Sequence, residues 1–362
     1  MIIKRLELQN YRNYNYEFFD FEPGINVLYG NNAQGKTNAL ESIFFCATGK
    51  THRKAKEKEI INFSEQEAHI KLSFNRRDVD HYEDIHLRSR GKKSIVVDGT
   101  SLRRTIDILG NINVIIFAPE DLLIIKSSPS ERRNFINTEL CQLDKSYTYN
   151  LVNYNKVLDQ KNKLLKQIDY NGELLDTLPV WNEQLIKYGT EIIKKRKEFI
   201  SEIEEILIEK HSSLTDNSEK IKMIYQPNSS EEAFSDCLNS GIKREIAAGM
   251  SLFGPHRDDI MFTINDVLVK SFASQGQQRT VALSLKLAEI EYVKRKIGDM
   301  PVLLLDDVLS ELDGGRQRRL LTELNGIQTI ITCTGLDEFI DNSFEIDKVF
   351  YIDEGKVTEV KL

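Results

Sequence analysis

The sequence contains few cysteines, and their positions exclude several kinds of site. The 4 cysteines are widely spaced, with no C-x-x-C pair and no cluster of histidines beside them. That spacing fits neither a disulfide framework nor a cysteine-based metal site, so we expect reduced cysteines that serve packing. They are Cys46, Cys141, Cys237 and Cys333.

Long apolar runs are also absent. No stretch approaches the roughly 18 to 20 apolar residues that span a bilayer. Residues 1–6 lack the extended apolar core of a signal peptide and instead predict a first strand. We therefore expect a cytoplasmic protein.

The chain has no excess of positive charge. Its 49 lysines and arginines face 56 aspartates and glutamates, which gives a net charge of −7. Domains that bind nucleic acid are usually basic, so local patches must supply any contact with DNA. With 362 residues, 40% of them hydrophobic, the chain is long for one core. We predict two globular domains, one of them discontinuous.

Three blocks with different patterns follow one another along the chain. Short strand-like segments fill residues 1–127, long polar helical patterns follow over 128–245, and strand-like segments return over 246–362. We therefore predict an α/β fold in which a mainly α-helical domain, a hairpin broken near 171–179, is inserted between two halves of a domain with mixed sheets. The predicted strands are 2–8, 25–29, 68–74, 82–88, 94–97, 113–117, 260–264, 302–305, 327–331 and 349–352.

A phosphate-binding pattern lies near the N-terminus. Residues 30–37 fit G-x-x-x-x-G-K-[ST] between a predicted strand and a predicted helix. The glycines let backbone N–H groups curl around phosphate oxygens, and the helix N-terminus adds the positive end of its dipole. Lys36 would then reach the β- and γ-phosphates, and Thr37 would offer its hydroxyl to Mg²⁺. The alternative is a chance glycine turn with a surface lysine. The predicted nucleotide-binding residues are Gly30, Asn31, Asn32, Ala33, Gln34, Gly35, Lys36 and Thr37.

An apolar run over 302–305 ends in two carboxylates, Asp306 and Asp307. A buried parallel strand delivers acids to the carboxyl edge of a sheet in this way. Asp306 would hold Mg²⁺, and Asp307 would orient or deprotonate an attacking water. An Asp-Asp turn after an ordinary strand is the alternative. Most of the chain separates these acids from the phosphate loop, which is untypical of simple P-loop GTPases and kinases.

A third segment, 274–278, reads Ser-Gln-Gly-Gln-Gln and opens a predicted helix over 279–296. A serine and a glycine at a helix N-terminus present a hydroxyl and N–H groups that suit an anion. An N-capped helix with a polar first turn explains the same residues.

In their order along the chain, these features resemble the ATPase head of the ABC/SMC superfamily. The features are a Walker A loop, an S-x-G-Q signature, an acid-ended strand and an S-x-L-D loop at 310–313, arranged around a helical insertion. Within the superfamily the chain resembles the RecF family of bacterial recombination-mediator ATPases, through residues 8–14, 118–122 with 128–129 and 132–133, 254–259 and 304–313. These stretches span nearly the whole chain and are far more specific together than the Walker loop alone. The implied fold is an ABC/SMC-type P-loop ATPase head.

The resemblance implies an ATP-dependent homodimer in which two copies sandwich two ATP molecules. The signature residues Ser274, Gly276 and Gln277 of one copy would meet the γ-phosphate held by Lys36 of the other. Asp313 would lie at the dimer seam. ADP lacks the phosphate that both halves grip, so ATP should favour the dimer.

The same resemblance implies that Asn10 and Arg12 lie near the nucleotide. An arginine there can neutralise phosphate or stack on adenine. A surface turn is the alternative for both residues.

Two departures from the superfamily pattern concern hydrolysis. Asp307 stands where a longer glutamate is common, which would go with slow turnover. The histidine usual in transporter ATPases is absent after the next strand, where Thr332 or Thr334 could contact the γ-phosphate.

Basic residues form three groups that are candidates for DNA contact. Charge runs are usually solvated faces, but the resemblance favours DNA contact by at least one group. No aromatic array is interleaved with them, so we expect contact with the backbone of duplex or of a single-strand/duplex junction. The first group is Lys50, Arg53, Lys54, Lys56 and Lys58, the second is Arg88, Arg90, Lys92, Lys93, Arg103 and Arg104, and the third is 194–197.

The sequence therefore predicts an ATP-gated DNA-binding protein in which slow, DNA-dependent ATP hydrolysis drives release. The resemblance further implies a function at single-stranded gaps in recombinational repair and the damage response, with RecO and RecR as partners in placing RecA. A structural, SMC-type DNA-holding head is the alternative, and the short helical region counts against it. A transporter subunit is disfavoured by the basic loops and the missing histidine.

Overall fold

The computed structural model describes residues 1–53, 55–168, 172–335 and 345–361. The chain divides into two compact units. The head unit comprises 1–121 with 286–362, and the arm unit comprises 122–285. The division at 127 and 245 stays a prediction about domains.

The elements alternate along the chain much as the sequence predicts. The strands are β1 (Ile2–Tyr11), β2 (Tyr14–Asp20), β3 (Ile25–Tyr29), β4 (Glu67–Arg76), β5 (Val79–Arg88), β6 (Ser94–Val97), β7 (Thr100–Ser101), β8 (Val114–Phe117), β9 (Ile221–Gln226), β10 (Asp259–Ile264), β11 (Val267–Leu268), β12 (Val302–Asp306), β13 (Thr329–Cys333), β14 (Lys348–Asp353) and β15 (Lys356–Val360). The helices are α1 (Lys36–Thr48), α2 (Leu122–Lys126), α3 (Pro129–Leu143), α4 (Lys145–Ile168), α5 (Leu178–Leu214), α6 (Phe234–Ser240), α7 (Ile242–Ala248), α8 (Val269–Phe272), α9 (Gln275–Ile297) and α10 (Gly314–Glu323).

Two sheets of different kinds build the head unit. The first is antiparallel, in the order β2-β1-β4-β5-β6-β7. The second has the order β15-β14-β3-β13-β12-β8, in which β15 pairs antiparallel and the other neighbours pair parallel. Helix α1 contacts β4 of the first sheet and β8, β12 and β13 of the second. The predicted α/β fold with mixed sheets is confirmed.

The second sheet brings distant parts of the chain to one edge. Every residue of β12 and β13 is buried, as expected for central parallel strands. Asp306 pairs with Thr332, and Thr332 pairs with Leu28. The carboxyl ends of three strands therefore meet beside the start of α1.

A helical hairpin and a small sheet form the arm unit. Helices α4 and α5 pack against each other. With 37 residues, α5 reaches about 55 Å at 1.5 Å per residue, which is longer than the roughly 35 to 45 Å that the sequence predicts for each arm of the hairpin. Strands β11, β10 and β9 form an antiparallel sheet. Strand β9 lies within the block that was predicted to be helical. Of its six residues, only Ile221 and Met223 are buried.

Among the helices of the described chain, not one has the length and apolar content needed to cross a bilayer.

Candidate functional site

The predicted phosphate loop joins β3 to α1 through two glycines with positive φ. Gly30 has φ 150° and Gly35 has φ 122°. A Cβ on Gly30 would lie 2.2 Å from the carbonyl oxygen of Ile352, so no side chain fits there. Tyr14 donates its hydroxyl to the Gly35 carbonyl over 3.0 Å, and residues 31–33 are exposed. The chain thus presents an open, anchored loop at a helix N-terminus, which is the arrangement that binds phosphate.

Lys36 lies folded against this loop. Its Nζ donates to the carbonyl oxygens of Gly30, over 2.6 Å, and Asn31, over 2.7 Å. Burial lowers the pKa of Lys36, and the carboxylate of Asp307 opposes that shift. An ammonium held by neutral carbonyl groups keeps its charge available to an anion in the loop.

At Asp306 the two distant halves of the predicted site meet. Thr37 donates its hydroxyl to Asp306 Oδ1 over 2.7 Å, and Thr332 donates to the same oxygen over 2.8 Å. The carboxylate is 4% exposed. A threonine hydroxyl in contact with a carboxylate offers the oxygen ligands that Mg²⁺ prefers, so these residues fit the predicted metal site.

Asp307 turns away from the strand that carries it. Its φ is 54°, a left-handed conformation that aspartate tolerates better than most residues. Its N–H donates to Thr332 Oγ1 over 3.0 Å, and Ser310 donates to its carbonyl oxygen over 2.9 Å. One acid is therefore buried at the predicted metal site while the next is partly exposed, and the roles of both acids stay predictions.

Thr332 connects the two acids through one hydroxyl, which accepts from Asp307 and donates to Asp306. The side chain is 1% exposed, whereas Thr334 is exposed. Contact of either threonine with a γ-phosphate stays a prediction. The positioning of the acids by Thr332 was not predicted, because it depends on the pairing of β12 with β13.

Arg53 lies beside this site, although its neighbours in the sequence place it in a predicted DNA-binding group. Its Nη2 is 3.7 Å from Asp306 Oδ2, and its Nε is 3.9 Å from Glu120 Oε1. No local pattern signals this contact, since Arg53 follows α1 in an irregular segment. Contact of Arg53 with DNA stays a prediction.

Asn10 and Arg12 flank the end of β1, and both have φ 53°. The Arg12 guanidinium donates to Glu41 Oε2 over 2.8 Å and to the carbonyl oxygen of Glu59 over 3.1 Å. Glu41 belongs to α1, so Arg12 is tied to the helix that follows the phosphate loop. The predicted nucleotide contact of both residues stays a prediction.

The signature segment lies in the arm unit and caps α9. Ser274 Oγ accepts from the N–H of Gln277 over 3.2 Å, and Gln277 Oε1 accepts from the N–H of Ser274 over 2.9 Å. This reciprocal pair is a capping box. Gln277 also donates to Glu219 over 2.9 Å, while Ser274 and Gly276 are exposed. The alternative of an N-capped helix is therefore correct for the local structure. Ser274 and Gly276 are accessible, and their contact with a second copy stays a prediction.

Asp313 caps the helix after the acids. It accepts from the N–H of Arg316 over 3.0 Å and is exposed. Hydrogen bonding to this N–H lowers the pKa of Asp313. Its predicted place at a dimer seam stays a prediction.

Two of the three basic groups lie side by side in the head unit. Lys93 Nζ donates to the carbonyl oxygen of Gly49 over 3.1 Å and to Glu57 Oε1 over 2.5 Å. Lys93 thus fastens the β5–β6 turn to the segment after α1, and Arg88 lies 3.7 Å from Glu67. Lys54 lies outside the described residues. From the exposed cations of the joined groups we define the head basic surface as Lys50, Lys56, Lys58, Arg90 and Lys92; Arg53, Arg88, Arg103 and Arg104 are exposed as well.

The third basic group contains an interior residue. Arg196 is 2% exposed, and its Nη1 lies 2.8 Å from Asp258 Oδ2. Lys195 lies 3.5 Å from Asp144. The prediction of DNA contact is wrong for Arg196, because this side chain is part of the arm core.

The fold, the phosphate loop and the acid-ended strand define an ATPase head of the ABC/SMC type. The family model "RecF/RecN/SMC N terminal domain" matches residues 2–358. A solved Smc head bound to the C-winged helix domain of ScpA is similar in fold, with a TM-score of 0.59 at 17% identity over 100% of this chain and 98% of that one.

Closer relatives narrow the class. The DNA replication and repair protein RecF of Lachnoclostridium phytofermentans is 52% identical over 357 residues, covering 99% of each chain. The protein of that name from Clostridium acetobutylicum is 43% identical over 368 residues, covering 99% of this chain and 100% of its own. A solved structure of the recombination mediator protein RecF-ATPrS in the RecFOR pathway has a TM-score of 0.93 at 33% identity, covering 99% of this chain and 98% of that one. The chain belongs to the RecF family, as its sequence motifs predict.

Proposed function

We propose that this chain is an ATP-dependent DNA-binding protein of recombinational repair. The contact between Thr37 and Asp306 carries the proposal. It joins a phosphate loop to a buried acid at the edge of a parallel sheet, which is where a nucleoside triphosphate with its metal is held. The solved structure of a relative described as RecF-ATP supports ATP as the nucleotide.

Different residues of the head unit have different roles in ATP hydrolysis. Lys36 binds the β- and γ-phosphates, and Asp307 orients the attacking water and accepts its proton. Thr37 and Asp306 would hold Mg²⁺, which would supply neutralisation of phosphate charge when bound. An aspartate in place of a longer glutamate reaches less far toward that water, so we expect slow turnover. Hydrolysis then times release of DNA.

A second copy of the chain completes the site. Ser274 and Gly276 are exposed at the start of α9, and Gly276 has no neighbour that a side chain would meet closely. That opening suits a phosphate bound to another molecule. ATP is then bound by two copies at once, so ATP favours the dimer by mass action.

The head basic surface binds the DNA backbone. Its cations are exposed and come from two loops that Lys93 holds together. Lysine and arginine on such a surface neutralise phosphates without reading bases. Duplex DNA and gap junctions therefore bind with little sequence preference.

The partners follow from the family. The relatives are described as acting in DNA replication and repair and in the RecFOR pathway. We infer that this chain works with RecR, and through it with RecO, to promote loading of RecA on single-stranded DNA at gaps.

The mass of the protein in solution tests the dimer. Light scattering is measured with ATP, with ADP and without nucleotide, for the wild type, Ser274→Arg and the control Ser240→Arg, which also replaces an exposed serine. We expect ATP to double the mass of the wild type and the control only. A wild type that stays monomeric with ATP, or a Ser274→Arg variant that dimerises equally well, shows that the sandwich is wrong.

A further inference from the structure

A polar cavity of about 240 Å³ opens at the surface of the arm unit. One face of α3 supplies Ser130, Arg133, Asn134 and Asn137 to its wall, at the spacing i, i+3, i+4 and i+7. Helix α4 and the loop at 255–256 supply the facing walls. The cavity is distinct in residues from the phosphate loop and from the head basic surface.

Hydrogen bonds connect the side chains at the floor of the cavity. Arg196 donates to Asp258 Oδ2 over 2.8 Å, to the Pro255 carbonyl oxygen over 2.6 Å and to Asn137 Oδ1 over 3.0 Å. Tyr147 donates to the same oxygen of Asn137 over 2.6 Å. Because Oδ1 accepts both bonds, the Nδ2 group of Asn137 is left with its two N–H donors.

The opposite wall offers no negative charge. His256 Nε2 lies 3.2 Å from the carbonyl oxygen of Ser251, and Nδ1 lies 2.7 Å from the hydroxyl of Tyr154. Burial lowers the pKa of His256 to about 4, so the ring is neutral near pH 7. Nε2 then carries the proton, and Tyr154 donates to Nδ1.

Arg133 brings a positive charge that no carboxylate neutralises directly. Its Nη1 donates to the Asp258 carbonyl oxygen over 2.7 Å. The carboxylates of the neighbouring loop serve other guanidinium groups, since Asp258 pairs with Arg196 and Asp259 pairs with Arg132 over 2.6 Å. Within the described chain no acidic side chain lies at ion-pair distance from Arg133. The cavity therefore combines amide donors with a guanidinium that forms no ion pair among the described residues, and its lining contains no acid.

We propose that this cavity binds a phosphate group, with Arg133 as the charge partner and Asn137 Nδ2 as a donor. Phosphate oxygens accept hydrogen bonds from both groups, and a guanidinium can donate two hydrogen bonds to one phosphate in a bidentate arrangement. The volume admits a single phosphate-bearing group and excludes a continuous duplex. The phosphate comes either from a small molecule or from the 5′ end of a DNA strand. The second source rests on the proposed DNA binding, whereas the site itself does not.

Calorimetric titration with inorganic phosphate and with dAMP tests the site on the full chain, with excess ADP present to fill the phosphate loop. The proteins are the wild type, Arg133→Met, Asn137→Asp and the control Lys156→Met, an exposed lysine on α4. Asn137→Asp keeps the acceptor for Arg196 and replaces the free donors by a negative oxygen. We expect both cavity variants to bind phosphate at least about tenfold more weakly than the wild type and the control. Equal affinity in all four proteins overturns the proposal, provided that thermal unfolding shows the variants to be folded.

Fluorescence anisotropy with gapped duplex distinguishes the sources. If a 5′-phosphate at the gap strengthens binding by the wild type and not by Arg133→Met, the strand end is the ligand. If the 5′-phosphate has no effect while the titration with phosphate or dAMP shows the expected loss, a small molecule is the ligand. Failure of every protein to bind duplex contradicts the proposed function and leaves the result of the phosphate titration standing.

Discussion

The guanidinium of Arg53 lies 3.7 Å from the carboxylate of Asp306. Arg53 is also close in sequence to Lys50 and Lys56, which belong to the head basic surface. The segment after α1 therefore contacts the acid of the proposed metal site and also supplies residues of the proposed DNA surface.

Removal of the Arg53 charge should change metal dependence more than DNA affinity. Arg53→Ala removes a cation that lies beside Asp306 and would compete with Mg²⁺ there. Because a partly exposed ion pair contributes about 0.2 to 1 kcal/mol, the Mg²⁺ concentration for half-maximal ATP binding should fall by a factor of roughly 1.4 to 5. Fluorescence titration of a labelled ATP analogue measures this. An unchanged Mg²⁺ dependence combined with a large loss of DNA affinity would assign Arg53 to the DNA surface instead.

Thr332 should control hydrolysis through the acids it positions. Thr332→Val keeps the side-chain volume but leaves the Asp307 N–H without its side-chain acceptor. We expect hydrolysis to slow by about tenfold, at a cost of about 1 to 3 kcal/mol in the free energy of unfolding. Thr332→Ser retains the hydroxyl and serves as the control. Steady-state ATPase assays and urea unfolding test both, and a fully active valine variant would contradict the assignment.

Residues of the head basic surface should contribute to the salt dependence of DNA affinity. Lys58→Ala and Arg90→Ala each remove one exposed cation, so the slope of log K against log salt should decrease by about 1 for each lost phosphate contact. Lys356→Ala, an exposed lysine on β15, is the matched control. Anisotropy titrations of duplex at several salt concentrations measure the slopes. Slopes equal to the wild type in both surface variants would place the DNA elsewhere.

Glu83 should make the head unit less stable as pH rises. Its carboxyl is 0% exposed on the inner face of the first sheet, and burial raises its pKa well above 4.5. A carboxyl whose pKa is raised by folding favours the native state below the unfolded pKa, and this stability is lost as pH rises toward the folded pKa.

Glu83→Gln removes that titration. We subtract the free energy of unfolding of the wild type from that of Glu83→Gln at each pH. This difference should be about 1 to 3 kcal/mol larger at pH 8 than at pH 5. Glu65→Gln, an exposed carboxylate, should show no such difference. Urea unfolding at the two pH values measures it; parallel pH curves for Glu83→Gln and the wild type would mean that Glu83 stays ionised in the fold.

The local parts of the site were predictable from the sequence. The phosphate loop and the acid-ended strand are each continuous patterns with one physical meaning, and the structure joins them through Thr37 and Asp306. The link made by Lys93 was not predictable, because it depends on how β5 and β6 fold back toward the segment after α1. The same holds for Thr332, whose role exists only once β13 pairs with β12.

The burial of Arg196 was predictable from the spacing of apolar residues around it, although the lysines beside it suggest an exposed charged segment. Its flanking lysines suggest a solvated run, yet it lies at helical spacing between Ile192 and Phe199, and both of these are buried. A residue between two buried positions at i−4 and i+3 faces the same side of the helix. The apolar stripe thus decides the environment of Arg196.

The burial of Arg196 bears on how mutants of this chain behave in cells. Substitution of a buried, paired arginine leaves Asp258 unpaired in the interior, which typically costs about 3 to 5 kcal/mol. Such a loss lowers the amount of folded protein that escapes proteolysis. A strain carrying Arg196→Ala would then be sensitive to DNA damage because the protein is scarce, and immunoblotting would separate that scarcity from weaker contact with DNA.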